Sequence, residues 1–331
     1  MVTYSLVVPV FNEEQVLPLL HARLAEVIDQ LDAPAEVIFV DDGSRDHSYE
    51  LMLGIRRRDP RFRIIHLSRN FGHQVAITAG IDHARGEAVI VMDADLQDPP
   101  EVVLEMAARW REGFEVVSAV RAERHGETFL KRFTAAAYYR LLRRLTDVDI
   151  PEDVGDFRLV DRRALDTFKA MRESDRYVRG MFGWIGFRNT SVRFVRSERA
   201  AGETKYPWRR MTKLAIDGIL SFSRAPLRLV LNLGFLVSAV SFLAGITSIV
   251  LKLAGVYTVS GWTSMVVAIF FLGGIQLTVM GMIGEYIGRI YEQVKNRPLY
   301  VIRRMHGVGH EAAGRPENVF TAYDARDREA V

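Results

Sequence analysis

The sequence contains no cysteine, which excludes disulfide bonds and thiolate metal sites. A chain without thiols fits a reducing, cytosol-facing location. The formal net charge over 331 residues is only +3, so basic residues matter mainly where they cluster. Near the N-terminus, the apolar run over residues 4–10 is short and interrupted by Pro9, and no basic stretch precedes it. A signal peptide is therefore not expected.

The glycine-rich phosphate loops G-x-G-x-x-G and G-x-x-x-x-G-K-[ST] are also missing. If the chain binds phosphates, backbone amides of such a loop are not what neutralises them. Short apolar runs nevertheless alternate with amphipathic stretches, which predicts crossover units and a doubly wound, mostly parallel α/β sheet. The strands predicted for this core cover residues 4–10, 36–40, 63–67, 88–92 and 115–120, and a further strand is predicted from Ser191 to Val195.

Two carboxylates follow the fourth predicted strand, just before Pro99-Pro100 opens a helix. Alternate residues of an extended chain point the same way, so Asp93 and Asp95 can converge on one hard divalent cation, and Gln97 can join them. The alternative is a helix cap or a solvated loop. A second D-x-D, Asp147-Val148-Asp149, follows no apolar strand and is interpreted as solvated.

The second predicted strand also ends in acid, at Asp41 and Asp42. Ligands bind at the carboxyl edge of such sheets, so these side chains are placed to accept hydrogen bonds from a ribose or a base. The alternative is a plain turn, capped by Ser44 or Asp46.

The middle of the chain is strongly basic. Residues 129–145 mix arginines with aromatic and leucine side chains, which indicates either a helix on an anionic membrane surface or a packed helix with a solvated basic face. The loop 196–208 is either a phosphate-gripping loop or an ordinary surface loop.

The last third is apolar over residues 227–253 and again over 263–283, which predicts two transmembrane helices. Basic residues flank both runs, so the positive-inside rule places both chain ends in the cytoplasm. The spacing Gly284-x-x-x-Gly288 would permit helix association and hence a homo-oligomer. The sequence predicts a catalytic domain over residues 1–205 and amphipathic interfacial helices over 206–228. The two transmembrane helices follow over 229–288, and a basic tail covers 289–331.

With these motifs in place, the chain resembles family 2 glycosyltransferases. Among them it is similar to the polyprenyl-phosphate branch, which includes dolichol-phosphate mannosyltransferases and bacterial undecaprenyl-phosphate glucosyltransferases. The resemblance spans roughly residues 4–206, and the two apolar C-terminal runs match the bacterial subgroup. It rests on the segments VPVFNEE (8–14), VDDGS (40–44), RNFG (69–72), DADLQDPPE (93–101) and GETKY (202–206).

The resemblance implies a glycosyltransferase-A-type fold and the transfer of a sugar from a nucleotide sugar to a polyprenyl phosphate. The favoured donor is UDP-glucose, and a UDP-sugar is favoured over a GDP-sugar. Asp93, Asp95 and Gln97 would hold Mg²⁺ or Mn²⁺, and Asp156 falls where the family's catalytic carboxylate lies. Membrane lipids are expected partners, and nucleic acid is not. The residues implied for the nucleotide are Pro9, Phe11, Glu13, Asp41, Asp42, Asp93 and Ala94, and those implied for sugar, acceptor and phosphates are Arg121, Arg124, Arg199 and Lys205.

The chemistry can also be argued from the acceptor. A lipid phosphate is mostly ionised at pH 7, since its second pKa is near 6. Its oxygen needs little deprotonation before it attacks an anomeric carbon, so Asp156 is a positioning residue or a weak base rather than an indispensable proton acceptor. In-line attack would invert the anomeric centre.

Three other classes of protein compete with this interpretation. A membrane-anchored nucleotidyltransferase would share the acidic pair but needs a basic triphosphate loop. A processive polysaccharide synthase would share the N-terminal motifs, but by resemblance would carry a Q-x-x-R-W motif that is absent here. A non-enzymatic scaffold has no reason to place acids at successive strand ends.

Overall fold

The computed structural model describes residues 2–121, 154–174, 176, 178–195, 225–254 and 261–307. These residues fall into two compact units. The first is an α/β unit that extends to residue 195 and resumes at Arg297. The second is helical and lies between residue 225 and Asn296.

One mixed β-sheet of eight strands forms the centre of the α/β unit. Its strands are β1 (Tyr4–Val10), β2 (Ala35–Asp41), β3 (Phe62–Leu67), β4 (Ala88–Val91), β5 (Val116–Arg121), β6 (Val154–Asp161), β7 (Asn189–Phe194) and β8 (Ile302–His306). They lie in the order β7-β5-β6-β4-β1-β2-β3-β8. The five strands predicted from apolar runs are all present as β1 to β5.

Six helices accompany the sheet in the described residues. They are α1 (Leu17–Gln30), α2 (Ser48–Arg58), α3 (His73–His83), α4 (Val102–Arg111), α5 (Arg162–Ala170) and α6 (Val178–Ile185). Because α1 to α4 each follow a strand of the parallel part, every crossover returns the chain to the same end of the sheet.

The central strands are buried on both faces. All seven residues of β1 are buried between its parallel neighbours β2 and β4, as is typical of strands covered by helices on both sides. Helix α3 packs closely on this sheet at Gly80, where a Cβ atom would lie 2.2 Å from Val7 Cγ1. The parallel strands therefore end together at one edge, where ligands bind in open α/β sheets.

The sheet is mostly parallel, as predicted, since six of its eight strands run in one direction, but it is mixed because two strands run the other way. Strand β6 runs antiparallel to both β4 and β5, and β8 runs antiparallel to β3. Strand β8 lies inside the stretch described above as a tail. Of the β8 residues only Ile302 is buried, and the strand's sequence IRRMH contains no apolar run from which it could have been predicted.

The second unit consists of two long helices, α7 (Ala225–Leu253) and α8 (Trp262–Val294). Within the described residues, neither these nor any other helix combines the length and the apolar character needed to cross a membrane. The predicted transmembrane helices over residues 229–288 are thus not confirmed. Most of the predicted interfacial segment, residues 206–224, lies outside the described residues.

Candidate active site

Acidic side chains from three strands meet at the carboxyl edge of the parallel strands. Asp41 ends β2, and Asp93 follows β4. Strand β6 begins at this same edge, since it is antiparallel to β4 and Arg158 pairs with Val91. Asp156, two residues before Arg158, therefore lies beside the chain that leaves β4.

Asp156 is only 5% exposed, and both of its carboxylate oxygens are engaged. Arg179 of α6 donates from Nε to Oδ1 at 2.9 Å and from Nη2 to Oδ2 at 3.1 Å. Gln74 Nε2 donates to Oδ2 at 3.2 Å, and its Oε1 accepts from the backbone N–H of Val178 at 3.1 Å. Gln74 thus joins the carboxylate to the first turn of α6.

Burial alone would raise the pKa of Asp156. The hydrogen bond from His73 and the positive charge of Arg179 outweigh it and hold that pKa well below its usual range. Asp156 is therefore ionised whenever the protein is folded at neutral pH, and a carboxylate so strongly stabilised is a poor proton acceptor.

His73 lies between two carboxylates. Its Nε2 atom is 3.3 Å from Asp93 Oδ1 and 3.4 Å from Asp156 Oδ2. Burial would lower the pKa of His73, but hydrogen bonding to Asp156 and Asp93 raises it well above its usual range. One imidazole thus connects the predicted metal-binding segment with the predicted catalytic carboxylate.

The segment after β4 has the alternation that was predicted for it. Asp93, Asp95 and Gln97 are partly exposed, whereas Ala94 and Leu96 between them are buried. Leu96 has a φ angle of 56°, which a residue with a side chain rarely adopts. This turn lets the Gln97 backbone N–H donate to Asp95 Oδ1 at 3.1 Å.

A divalent cation fits this segment. Asp93 Oδ1 is buried, and its contact with His73 at 3.3 Å lacks good hydrogen-bond geometry, so the oxygen retains capacity for a further ligand. Carboxylate and amide oxygens are ligands that Mg²⁺ and Mn²⁺ prefer. Within the described ranges, no three His, Cys, Asp or Glu side chains converge on a common metal position. Such a cation would thus take one or two carboxylates and complete its shell with water and substrate phosphates.

Several residues predicted to contact the nucleotide, called here the nucleotide cradle, lie at the ends of β1 and β2. Pro9 is buried within β1, whereas 39% of Phe11 is exposed, so its ring can stack on a base. Asp41 is fully buried, accepts from the Ser44 N–H at 3.0 Å and contacts His66 Nδ1 at 2.5 Å. The Glu13 backbone N–H donates to the Ser48 hydroxyl at 2.9 Å.

Asp42 stabilises the loop that precedes α3. Its two oxygens accept from the backbone N–H groups of Phe71 at 2.7 Å and Gly72 at 3.0 Å, which holds the loop before α3. Burial raises the pKa of Asp42, although these hydrogen bonds oppose the effect. Asp46 accepts from the Ser48 N–H at 3.1 Å just before α2, but the N-cap residue of that helix is His47, whose side chain forms no capping hydrogen bond.

Of the predicted basic residues, only Arg121 lies within the described part of the chain. It is the last residue of β5, and its Nη2 atom would be 3.8 Å from a Cβ atom if Gly155 had one. Arg158, which the sequence analysis did not propose, is 2% exposed and donates to the Gly155 carbonyl at 2.8 Å. Five further residues discussed above lie outside the described residues: Arg124, Asp147, Asp149, Arg199 and Lys205.

Sequence reasoning also missed His73, Gln74 and Arg179. The first two directly follow the RNFG segment, so inspection of its flank could have found them. Arg179 lies in a short helix without any strand-end signal, and only the tertiary structure connects it to Asp156.

Comparison with known proteins adds to this geometry. The profile of glycosyl transferase family 2 matches residues 5–168, and that of the GtrB C-terminal hairpin matches residues 225–290. The chain is 50% identical over 318 residues to the uncharacterized glycosyltransferase YkcC of Bacillus subtilis, covering 96% of this chain and 98% of the relative. It is 41% identical to the SfII prophage-derived bactoprenol glucosyl transferase of Shigella flexneri, covering 91% and 98%. Among solved structures it is similar to glucosyl-3-phosphoglycerate synthase from Mycobacterium tuberculosis, with 19% identity and a TM-score of 0.43 over 66% of this chain and 79% of that one.

Proposed function

Because the chain belongs to glycosyl transferase family 2, we propose that it transfers one sugar from a nucleoside-diphosphate sugar to a polyprenyl phosphate. Glucose is the favoured sugar, since relatives 40–41% identical over nine-tenths of the chain are named bactoprenol glucosyl transferases. UDP-glucose is the favoured donor, and undecaprenyl or dolichyl phosphate the acceptor.

One observation carries the proposal. Asp93, which follows β4, and Asp156 of β6 lie 3.3 and 3.4 Å from the same His73 nitrogen. The donor's diphosphate, held near Asp93, would thus lie next to the acceptor's phosphate, held near Asp156 and Arg179. A transferase needs its two substrates in contact, and with the substrates bound in this way the arrangement would bring them together.

Asp93, Asp95 and Gln97 would hold Mg²⁺ or Mn²⁺, which supplies positive charge to the departing nucleoside diphosphate. The phosphate oxygen of the acceptor forms a bond with the anomeric carbon, and the bond from that carbon to the diphosphate breaks. Attack from the opposite side inverts the anomeric centre.

We assign Asp156 a positioning role. Its oxygens already accept hydrogen bonds from Gln74 and Arg179, and a lipid phosphate is largely ionised at pH 7 without help. The carboxylate therefore holds the Arg179 guanidinium at the reaction site. Arg121, Arg124, Arg199 and Lys205 would add positive charge around sugar and phosphates.

We further propose that the helical unit anchors the enzyme in a membrane, with the catalytic domain and both termini in the cytoplasm. Large apolar side chains are exposed along both helices, and exposed apolar surface of this extent is typical of membrane or partner contacts. Examples are Phe235, Leu236, Phe242, Leu243, Ile269, Phe271, Leu277 and Met280.

The absence of native cysteine makes this topology directly testable. A cysteine introduced at Ser260 should react with an impermeant thiol reagent from outside intact cells, whereas one at Glu329 should not. Labelling in the opposite sense would reverse the orientation.

The activity is tested by incubating membranes that contain the protein with radiolabelled UDP-glucose, other nucleotide sugars and polyprenyl phosphate. We expect a lipid product with one glucose per chain, and none with Asp93→Ala. A growing polymer would indicate a processive synthase, and nucleotide transfer to the acceptor a nucleotidyltransferase. Either product would reject the proposal.

A further inference from the structure

A basic cavity lies at the β3-β8 end of the sheet, several strands away from Asp93. It has a volume of about 330 Å³ and opens between the loop after β2, the first turn of α2 and strand β8. Arg45 comes from the first of these segments, and Arg303 and Arg304 come from the last. Residues more than 250 positions apart in sequence therefore line one cavity.

The cavity is separate from the metal-binding segment of the proposed donor site. Three strand spacings separate β4 from β3 and four separate β4 from β8, which is about 14 and 19 Å. The loops after β1 and β2 also form a wall between the two places. In this wall the Asn12 N–H donates to the Ser44 hydroxyl at 3.0 Å, and the Arg45 N–H donates to the Asn12 side chain at 2.8 Å.

Positive charge in the cavity is only partly balanced. Asp46 and Glu50 also line it, but Asp46 already accepts from the backbone N–H groups of Glu14 at 3.2 Å and Ser48 at 3.1 Å. Within the part of the chain that the structure describes, the Arg45 side chain forms neither a hydrogen bond nor an ion pair, and the same holds for Arg303.

The inner wall supplies further polar groups. The Tyr49 ring lies 4.3 Å from the His66 ring, and the Tyr49 hydroxyl is 2.8 Å from His306 Nε2 and interacts with Arg304. Guanidinium groups match the geometry of phosphate oxygens, and hydroxyl groups can complete their hydrogen bonding.

We propose that this cavity binds a phosphate group, carried by a soluble phosphate compound or a lipid headgroup, through Arg45, Arg303 and Arg304. Phosphate fits better than a single carboxylate because three arginines line the cavity and phosphate offers more oxygen acceptors to them. His66 lines the cavity and also contacts Asp41, so the bound phosphate would lie next to the nucleotide cradle without being part of it.

The test is calorimetric titration of inorganic phosphate into the full-length protein in phosphatidylcholine nanodiscs, without metal or donor. Replacing both Arg303 and Arg304 with Gln should weaken binding about tenfold or more. The matched control replaces Arg57 and Arg58, two exposed arginines at the other end of α2, with Gln and should leave binding unchanged.

Three results would overturn the proposal. The first is that phosphate does not bind to the unmodified protein, and the second is that both double variants weaken phosphate binding equally. The third is that Arg179→Met weakens phosphate binding while the double variant of Arg303 and Arg304 does not, which would place the phosphate in the catalytic site. Nanodiscs that contain phosphatidylglycerol distinguish the two sources. If they block phosphate binding, the ligand is a lipid headgroup, and if binding persists, the ligand is soluble. Since no donor or acceptor is present, the result is independent of the proposed transferase activity.

Discussion

The pairing of Asp156 with Arg179 allows a sharp test of what the carboxylate does. Two hydrogen bonds between charged groups join the side chains, at 2.9 and 3.1 Å. Such bonds contribute about 1.5–3 kcal/mol each. Because 31% of the Arg179 side chain is exposed, solvent screening favours the lower end, about 3 kcal/mol for the pair. That free energy corresponds to a factor of about 100 in rate.

If the two residues act as one unit, Asp156→Asn and Arg179→Met should each lower kcat/KM by about 100-fold, and the double variant should lose little more. The measurement is transfer of radiolabelled glucose to polyprenyl phosphate at subsaturating donor. As a control, Arg109→Met removes an exposed ion pair to Glu112 and should leave the rate unchanged.

The reasoning is refuted if the losses multiply to about 10⁴-fold in the double variant, because independent roles add in free energy. A loss far larger for Asp156→Asn than for Arg179→Met would likewise indicate a general base. Binding of Mn²⁺ and UDP by each variant, measured by calorimetry, establishes that the donor site remains folded.

Three more predictions concern the metal, the acceptor and the core. Asp93→Ala should abolish transfer because it removes one metal-binding carboxylate, while circular dichroism should show that the protein stays folded. Asp147→Ala should leave transfer unchanged. A comparable loss of transfer in the Asp147→Ala variant would show that the metal was assigned to the wrong D-x-D segment. The residual single-turnover rate of Asp156→Asn should rise between about pH 5.5 and 8 as the acceptor phosphate ionises near its second pKa of about 6; a flat background profile with donor binding intact would support an obligatory base. Gly80→Ala should lower the free energy of unfolding by about 1–3 kcal/mol, because the new methyl group overlaps a valine of β1. Gly54→Ala should raise the free energy of unfolding by up to about 1 kcal/mol, because no atom lies within 4 Å of the new methyl group. Urea unfolding measures both changes. Equal effects at the two sites would contradict the packing argument.

Local sequence determined the strands β1 to β5 and the segment that carries Asp93 and Asp95. Strands buried on both faces must be continuously apolar, so they stand out in a sequence, and the two-residue period of extended chain predicts which side chains share a face. The alternating exposure of Asp93, Ala94 and Asp95 follows directly from that period.

Only the tertiary structure decided where β6 and β8 lie. Strand β6 includes Asp156 and Arg158 among its apolar residues, and β8 is an exposed edge strand, so neither has the apolar run of a central strand. Their partners β4 and β3 lie far away along the chain. Which strands pair over such separations depends on the path of the whole chain, and local periodicity does not encode it.

The same limit applies to the site. Asp156 could be nominated by resemblance alone, but the residues that hold it, His73, Gln74 and Arg179, come from two helices separated by about a hundred residues. An ion pair depends on distances between side chains after folding, so no spacing along the sequence predicts it. The sequence by itself determined which acidic groups reach the edge of the sheet, and the folded chain determined which basic and amide groups meet them there.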